Sequence, residues 1–415
     1  MSMQKNSKIY VAGHTGLVGS AIVKRLRNNG FKNFILKTHT DFDLINQKAV
    51  QNFFKKEKPE YIFFCAAKVG GMLAQLEQKA DFLYQNLQMQ NNVLHFAYKY
   101  GVKKLIFIAS FCIYPEYTPL PIKESSMMSG FLQPNNEPYG IAKIAGVKMC
   151  EYYNTQYGTN FIALAPVSVY GANDNFDLKT SHVQAAIFRK IYLAKLLSED
   201  KKELIVADLG VRSYNEAIAF LSKYQIYTTH IQMLGTGIPK REFLHCDDLA
   251  NAAFFCMQNV NFSEICSFDE AGKCISSHLN VGNGVLFSIK ELAFIIKDIV
   301  GYQGELIFET NSNKDGTIEK LADISKLTDL GFKTKISLQQ GLKMMYEDYL
   351  NHNTLMLNSN ITNRLVLGGG GDLTLYKFYF FFLYSKLPLP TYHSTLRQAN
   401  NANFIALPQV SGQSK

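Results

Sequence analysis

The chain has 415 residues, of which 47% are hydrophobic and 19% are charged, and this balance excludes a disordered chain and a small disulfide-stapled scaffold. Its formal net charge is +9, but the lysines and arginines are scattered and form no basic stripe with aromatic residues, so we expect no nucleic-acid partner. The seven cysteines show no C-x-x-C spacing and the sequence starts without an apolar signal segment, so we expect a cytoplasmic protein with neither a disulfide framework nor a metal site.

Short apolar runs alternate with helical patterns through the first half of the chain. In order, the patterns predict strands at 9–12, 34–37, 61–66 and 105–109, alternating with helices at 17–29, 47–56 and 80–100. Such alternation is typical of a parallel sheet that is covered by helices on both faces. We therefore predict an α/β fold: a doubly wound (Rossmann) parallel sheet with a smaller C-terminal α/β substrate-binding domain.

The pattern changes twice further along the chain. We assign residues 1–174, with contributions from about 236–262, to the nucleotide-binding domain, and residues 175–352 to the substrate-binding region. Within the latter, residues 191–232 have Leu and Ile at helical spacings and are interpreted as a helical insertion. Residues 353–415 are atypical and expected to be disordered, and their aromatic run at 378–384 is far too short to span a membrane.

A glycine-rich loop follows the first predicted strand. Gly13, Gly16 and Gly19 form a G-x-x-G-x-x-G pattern at the start of the first helix, where a tight turn lets a pyrophosphate reach the helix N-terminus. We expect a dinucleotide to contact the following residues of this loop: Gly13, Thr15, Gly16, Leu17, Val18 and Gly19.

The end of the second predicted strand bears on the choice between the two nicotinamide cofactors. An acidic residue there would bind the ribose 2′-hydroxyl of NAD, but this chain has Lys37 and His39 in the segment. Cationic or neutral groups favour a 2′-phosphate. The cofactor predicted is therefore NADP(H).

Three residues form a pattern suited to ketone reduction. Ser110 follows the apolar strand 105–109, and Tyr139 and Lys143 lie one turn apart on a predicted helix that runs to about 157. A free tyrosine titrates near about 10, so a nearby ammonium is needed to favour its phenolate. Ser110 can hydrogen-bond the substrate carbonyl while hydride arrives from the cofactor, which predicts a reductase of the short-chain dehydrogenase type.

Several longer motifs resemble the GDP-L-fucose synthase family of extended short-chain dehydrogenases. They are residues 13–21 (GHTGLVGSA), 66–71 (AAKVGG), 112–115 (CIYP), 136–146 (NEPYGIAKIAG) and 241–245 (REFLH), and the resemblance covers about residues 7–350. It implies an enzyme that uses NADPH to reduce C4 of a GDP-4-keto-6-deoxy sugar. It also implies a homodimer.

The resemblance further implies roles for residues that chemistry alone would leave open. Cys112 and His182 would exchange protons at the carbons beside the keto group, because a carbonyl acidifies its neighbouring C–H groups. Ala66, Ala67, Lys68, Pro166 and His182 would join Tyr139 and Lys143 in contacting the cofactor. The substrate-binding positions implied are Lys190, Leu234, Arg241 and Lys320.

Departures from the family pattern leave the sugar open. Thr15 and His39 stand where the family has arginine, Ser168 replaces an asparagine, and Leu234 replaces a tryptophan. The insertion at 191–232 is similar to one in the GDP-6-deoxy-4-keto-heptose reductases of Campylobacter-type capsule pathways. The alternatives are therefore a C4 reductase that is also a 3,5-epimerase, a heptose-specific C4 reductase without epimerase activity, a C4 epimerase that retains NAD, and a non-catalytic NADP-binding protein.

Overall fold

A computed structural model describes residues 2–272, 274–310 and 315–351. The strands, in chain order, are β1 (Ile9–Ala12), β2 (Phe34–Ile35), β3 (Tyr61–Phe64), β4 (Lys104–Ile108), β5 (Phe161–Pro166), β6 (Ser168–Tyr170), β7 (His230–Gln232), β8 (Lys240–His245), β9 (Ser267–Phe268), β10 (Cys274–Ser276), β11 (His278–Val281), β12 (Leu286–Ser288), β13 (Glu305–Ile307) and β14 (Glu319–Lys320). The helices are α1 (Leu17–Asn28), α2 (Gln47–Glu57), α3 (Met72–Glu77), α4 (Lys79–Lys99), α5 (Glu137–Tyr157), α6 (Val183–Ser198), α7 (Lys202–Leu209), α8 (Tyr214–Lys223), α9 (Cys246–Asn259), α10 (Phe262–Ile265), α11 (Ile289–Val300), α12 (Ser325–Asp329) and α13, which covers 338–351.

Six parallel strands form the central sheet, in the order β11-β5-β4-β3-β1-β2. Every residue of β1, β3, β4 and β5 is buried, as expected for strands with helices on both faces. The predicted fold class, a doubly wound parallel sheet, is confirmed. One member of the sheet was not foreseen: β11 comes from the part of the chain that we had assigned to the substrate-binding region.

The predicted helices of the first half agree with α1, α2 and α4 to within one residue at each end. The second strand is shorter than predicted, because β2 ends at Ile35 and the chain then turns. The Asp41 carboxylate closes this turn by accepting hydrogen bonds from the Thr38 backbone N–H at 2.6 Å and its hydroxyl at 2.8 Å. Lys37 and His39 therefore lie on a loop beyond the sheet edge.

Apolar side chains gather into two cores. The first surrounds the central sheet and includes much of α9, which packs against α1. The second joins α6, α8, α11 and α13. The domain boundary at residue 174 remains a prediction.

The segment 191–232 consists of the second half of α6, followed by α7, α8 and β7. A buried ion pair holds α7 in place: Arg189 Nε of α6 lies 3.0 Å from Asp208 Oδ1, and the Asp208 side chain is 2% exposed. The Tyr349 hydroxyl of α13 donates to the second carboxylate oxygen of Asp208 at 2.6 Å. This cluster connects the insertion to two helices of the second core.

The tail assigned to 353–415 lies outside the described residues. Among the helices that are described, none combines the length and the apolar character needed to cross a membrane.

Candidate active site

The loops that follow β1, β3 and β4 meet at the carboxyl edge of the sheet, because parallel strands end on the same side. The first carries the glycine motif, the second carries residues 66–71, and the third begins with Ser110. A β-carbon on Gly13 would lie 2.8 Å from the Ala66 backbone nitrogen, so the first two loops are in direct contact.

The three glycines of the loop differ in the space around their α-carbons. Gly13 has a φ of +79°, and a β-carbon on Gly19 would collide with the Gly13 carbonyl. A β-carbon on Gly16, by contrast, would meet nothing closer than the Gly13 oxygen at 3.6 Å. Helix α1 begins at this open position with no side-chain cap and no acidic residue in its first turn, so its N-terminal N–H groups suit a phosphate.

The other members of the predicted cofactor set lie on the neighbouring segments. Thr15 is exposed, and Leu17 and Val18 form the first turn of α1. Ala66, Ala67 and Lys68 are half-buried after β3, and Asn86 of α4 fixes Lys68 by hydrogen bonds to its backbone N–H at 2.9 Å and its carbonyl at 3.0 Å. Pro166 is the last residue of β5.

The segment expected to meet the 2′-phosphate carries Lys37, His39 and two carboxylates, those of Asp41 and Asp43. Lys37 is half-buried, and the His39 ring is 81% exposed with Nδ1 3.8 Å from the Asp43 carboxylate. The hydrogen bonds from Thr38 lower the pKa of Asp41, so its carboxylate stays ionised within the turn. Sequence reasoning overlooked His14, whose Nδ1 is buried without a hydrogen-bond partner in the described structure; its place inside the glycine motif was the available signal.

Ser110, Tyr139 and Lys143 converge at the end of β4. Ser110 precedes a short 3-10 turn, Phe111–Ile113, and its hydroxyl oxygen accepts a hydrogen bond from the Cys112 backbone N–H at 3.2 Å. Lys143 is 3% exposed, and its Nζ donates to the Ile108 carbonyl at 2.8 Å and lies 5.6 Å from the Tyr139 ring centroid. The lysine thus joins helix α5 to β4, the strand that precedes Ser110.

Burial sets the protonation of this pair. It raises the pKa of Tyr139 far above its usual value of 10, and a nearby Cys112 thiolate would act in the same direction. It lowers the pKa of Lys143 to about 8. Near pH 7, Tyr139 is therefore a protonated phenol, and the pKa of Lys143 lies slightly above neutral pH.

Cys112 lies in a neighbourhood that also contains two cations. Burial lowers the pKa values of Arg241 and Lys320, and in both cases a Cys112 thiolate would act in the opposite direction. The cations occupy paired positions on β8 and β14. The Asn136 side chain donates through Nδ2 to Cys112 Sγ at 3.3 Å, and its Oδ1 is buried without a partner in the described structure.

His182 is the N-cap residue of α6 and is exposed to solvent. Its segment lies against the loop after β3, because the Gly71 N–H donates to the Thr180 carbonyl at 2.7 Å. The imidazole is nevertheless desolvated by surrounding protein, which lowers its pKa. A neutral imidazole is suited to accept a proton.

Hydrogen bonds, a charge interaction and strand pairing link the segments that carry the four predicted substrate-binding residues. Lys190 Nζ donates to the Gln232 carbonyl at 3.2 Å, and Leu234, two residues later, is 55% exposed. The same loop is held by Thr236, whose backbone N–H donates to Asp315 Oδ1 at 3.0 Å. Asp315 in turn influences the pKa of Arg241, whose strand pairs with that of Lys320.

Two residues of the recognised motifs have structural roles. Glu242 is 1% exposed, and its carboxylate accepts hydrogen bonds from the backbone N–H groups of Asn283, Gly284 and Ala322. The Tyr114 hydroxyl, also buried, donates to Asn280 Oδ1 at 2.5 Å and contacts His278 Nε2 at 2.8 Å on β11. Both tie the site loops to the sheet.

Comparison with known proteins gives consistent matches. Residues 9–266 match the model of the NAD dependent epimerase/dehydratase family. The chain is 44% identical to a putative GDP-L-fucose synthase 2 of Arabidopsis thaliana over 84% of this chain and 93% of that protein.

Two solved structures from Campylobacter jejuni are also similar, each at 46% identity. One is a GDP-6-OMe-4-keto-L-xylo-heptose reductase, with a TM-score of 0.81 over 85% of this chain and 100% of the other. The second is a GDP-mannoheptose C4 reductase with NADP bound, with a TM-score of 0.73 over 84% of this chain and 99% of the other.

Proposed function

This chain belongs to the NAD dependent epimerase/dehydratase family, among the homologues of GDP-L-fucose synthase, and we propose that it uses NADPH to reduce the C4 keto group of a GDP-4-keto-6-deoxy sugar. The observation that carries the proposal is the convergence of Ser110, Tyr139 and Lys143 at the sheet edge that also carries the glycine loop. A reductase needs its proton donor and its cofactor loop at the same sheet edge.

In the proposed reaction, bound NADPH supplies the hydride. The hydroxyls of Ser110 and Tyr139 both hydrogen-bond the C4 carbonyl oxygen, and Tyr139 gives it a proton as negative charge develops there. The Lys143 ammonium then stabilises the phenolate that Tyr139 leaves behind. Arg241 and Lys320 are suited to the GDP pyrophosphate, as two cations at paired strand positions.

Epimerisation at C3 and C5 is the finer part of the proposal. Cys112 and His182 come from different segments and can act as acid and base on carbons beside the carbonyl, while Ser110 and Tyr139 stabilise the enolate. The lowered pKa of His182 leaves its imidazole neutral and able to accept a proton near pH 7.

The second candidate function is C4 reduction of a heptose without epimerisation. The similarity to two heptose reductases favours it, as does the exposed Leu234, which leaves space where the family has a tryptophan. Retention of both Cys112 and His182 favours the bifunctional enzyme instead.

Two measurements test the proposal. Purified protein is supplied with GDP-4-keto-6-deoxymannose or its heptose counterpart, and NADPH oxidation is followed. We expect turnover of at least one of the two sugars, and oxidation of neither would exclude a reductase of this class. Deuterium uptake at C3 and C5 in heavy water without NADPH then decides between the candidates, because absence of exchange removes the epimerase activity.

A homodimer and a cytoplasmic location complete the proposal. On α4 and α5, the Tyr98 and Tyr157 rings stack at 4.2 Å, and Tyr84, Tyr152 and Ile141 are 61%, 56% and 44% exposed. Exposed apolar rings on paired helices suit burial against a second copy. Light scattering should give twice the chain mass, and Tyr152→Glu should give the monomer; a wild-type monomer would exclude the dimer.

A further inference from the structure

Outside the active site, two cysteine sulfurs lie in contact. Cys266 Sγ and Cys274 Sγ are 3.1 Å apart, and among the described residues no other two cysteine sulfurs are in hydrogen-bond contact. A disulfide bond is about 2.05 Å long, so closure requires a relative movement of the sulfurs of about 1 Å. We propose that Cys266 and Cys274 are an oxidative modification site, at which a hydroperoxide converts the two thiols into an intramolecular disulfide.

The local backbone explains why sulfurs from these positions meet. The cysteines flank the antiparallel pair β9 and β10, in which Ser267 pairs with Ser276 and Phe268 with Cys274. The register shifts between Cys274 and Ser276, which removes the simple alternation of the second strand. Cys266 lies one residue before β9 and two residues before Phe268, the partner of Cys274, so its side chain is within reach of Cys274 across the pair.

The pair is open to small reagents. Both cysteines are half-buried, whereas Cys150, Cys246 and Cys256 are fully buried. The neighbouring Phe268 and Ile275 are 53% and 46% exposed, so the hairpin faces solvent. A solvent-facing thiol pair is the arrangement expected of a reversible cytosolic disulfide, whereas a buried cysteine is inert.

The surrounding charges support a stepwise reaction. Lys326 Nζ donates to the Ile265 carbonyl and to Ser276 Oγ, both at 2.8 Å, which places a cation beside both thiols. This cation favours a thiolate at either cysteine, so the reaction can start at either sulfur.

The reaction balances with one hydroperoxide. The thiolate of one cysteine attacks the O–O bond, so that an S–O bond forms, the O–O bond breaks, and one oxygen leaves as water after protonation. The other cysteine then attacks the sulfenic sulfur, the S–S bond forms, the S–O bond breaks and a second water leaves. Two thiols lose two electrons and hydrogen peroxide is reduced to two waters; a thiol reductant reverses the change.

The test is mild oxidation of the full-length enzyme with hydrogen peroxide, followed by thiol titration under denaturing conditions and peptide mapping. We expect reactive thiols to fall from seven to five, with one non-reduced peptide pair joining Cys266 to Cys274. Dithiothreitol should restore all seven.

Matched variants separate this pair from general cysteine oxidation. Cys266→Ser and Cys274→Ser should each abolish the linked peptide, whereas Cys150→Ala, at a buried position in α5, should retain it. Oxidation that instead leaves sulfinic acid on either residue, or links either one to another cysteine or another molecule, would overturn the proposal. The readout does not depend on turnover, so its failure would leave the proposed reductase intact.

Discussion

At the scale of single residues, burial shifts the pKa values of the two residues that we predict to be catalytic. Tyr139 and Lys143 are an unremarkable i, i+4 pair in sequence, yet desolvation raises the pKa of the phenol and lowers that of the ammonium. The two shifts move the proton affinities of the phenol and the ammonium apart. Each has a measurable consequence.

Removal of the Tyr139 hydroxyl should stop proton donation. We expect Tyr139→Phe to lower kcat for NADPH oxidation by about 10²–10⁴-fold, because it loses the general acid and one carbonyl hydrogen bond. NADPH binding, followed by fluorescence, should stay within about threefold of wild type, since the loss falls in the chemical step. Turnover at the wild-type rate would exclude Tyr139 as the acid.

The Lys143 charge predicts an alkaline limit to activity. With a pKa of about 8, the protonated fraction of Lys143 falls as the pH rises through that value. Reduction should therefore slow by about tenfold between pH 7 and pH 9. A pH–rate profile measures this, and the weak residual activity of Lys143→Met should show no such limb; a wild-type profile that is flat to pH 10 would contradict the assignment.

Asn136 is predicted to position the Cys112 thiol. The Asn136 side chain makes no capping hydrogen bond to α5, so Asn136→Ala should leave the helix intact while removing the N–H donor to Cys112 Sγ. We expect deuterium exchange beside the keto group to slow by about tenfold, as for loss of a hydrogen bond to a charged group. The rate of NADPH oxidation with a sugar that needs no epimerisation should be unchanged, and equal loss of both activities would indicate a merely structural role.

At the scale of elements, two glycines at the start of α1 have different expected roles: Gly16 in ligand binding and Gly19 in packing. Gly16→Ala places a methyl group in open space, where we expect weaker NADPH binding by about tenfold, because the group obstructs a pyrophosphate at the helix N-terminus. Its melting temperature without cofactor should be unchanged. Gly19→Ala is the contrasting variant, since its methyl group would collide with the Gly13 carbonyl and should lower stability itself. Normal NADPH affinity in Gly16→Ala would exclude this loop as the phosphate site.

The strands and helices also show where local sequence suffices. Long helices with apolar periodicity, such as α4, were predicted to within one residue because one face must be buried. The predicted end of β2 was too late. The turn that follows the strand is closed by the Asp41 side chain, and a single side chain leaves no periodic pattern in the sequence. The pairing of β11 with β5 joins residues more than a hundred positions apart, and no local pattern specifies it.

At the scale of the whole molecule, the insertion is fixed by a buried charge cluster. We expect Asp208→Ala to destabilise the protein by about 3–5 kcal/mol, because Arg189 would be left buried without its partner. Tyr349→Phe should cost about 1 kcal/mol through the lost hydrogen bond. Thermal unfolding measures both, and Asp200→Asn should leave the midpoint unchanged, because it removes an exposed carboxylate of the same insertion and keeps a side chain that tolerates the φ of +54°. An equally stable Asp208→Ala would show that packing alone holds the insertion.

The sequence by itself determined the fold class, the NADP(H) cofactor and the reaction type, because glycine spacing, apolar periodicity and the long motifs are local properties. The nomination of Ser110, Tyr139 and Lys143 as catalytic residues also rests on local motifs. Tertiary structure decided contacts that no local motif shows: near the candidate site, the hydrogen bond from Asn136 to Cys112 and the paired positions of Arg241 and Lys320, and away from it, the contact between Cys266 and Cys274. These contacts depend on strand pairing, register and burial. Desolvation, which shifts the pKa values of Tyr139 and Lys143, arises only when segments distant in sequence exclude water together.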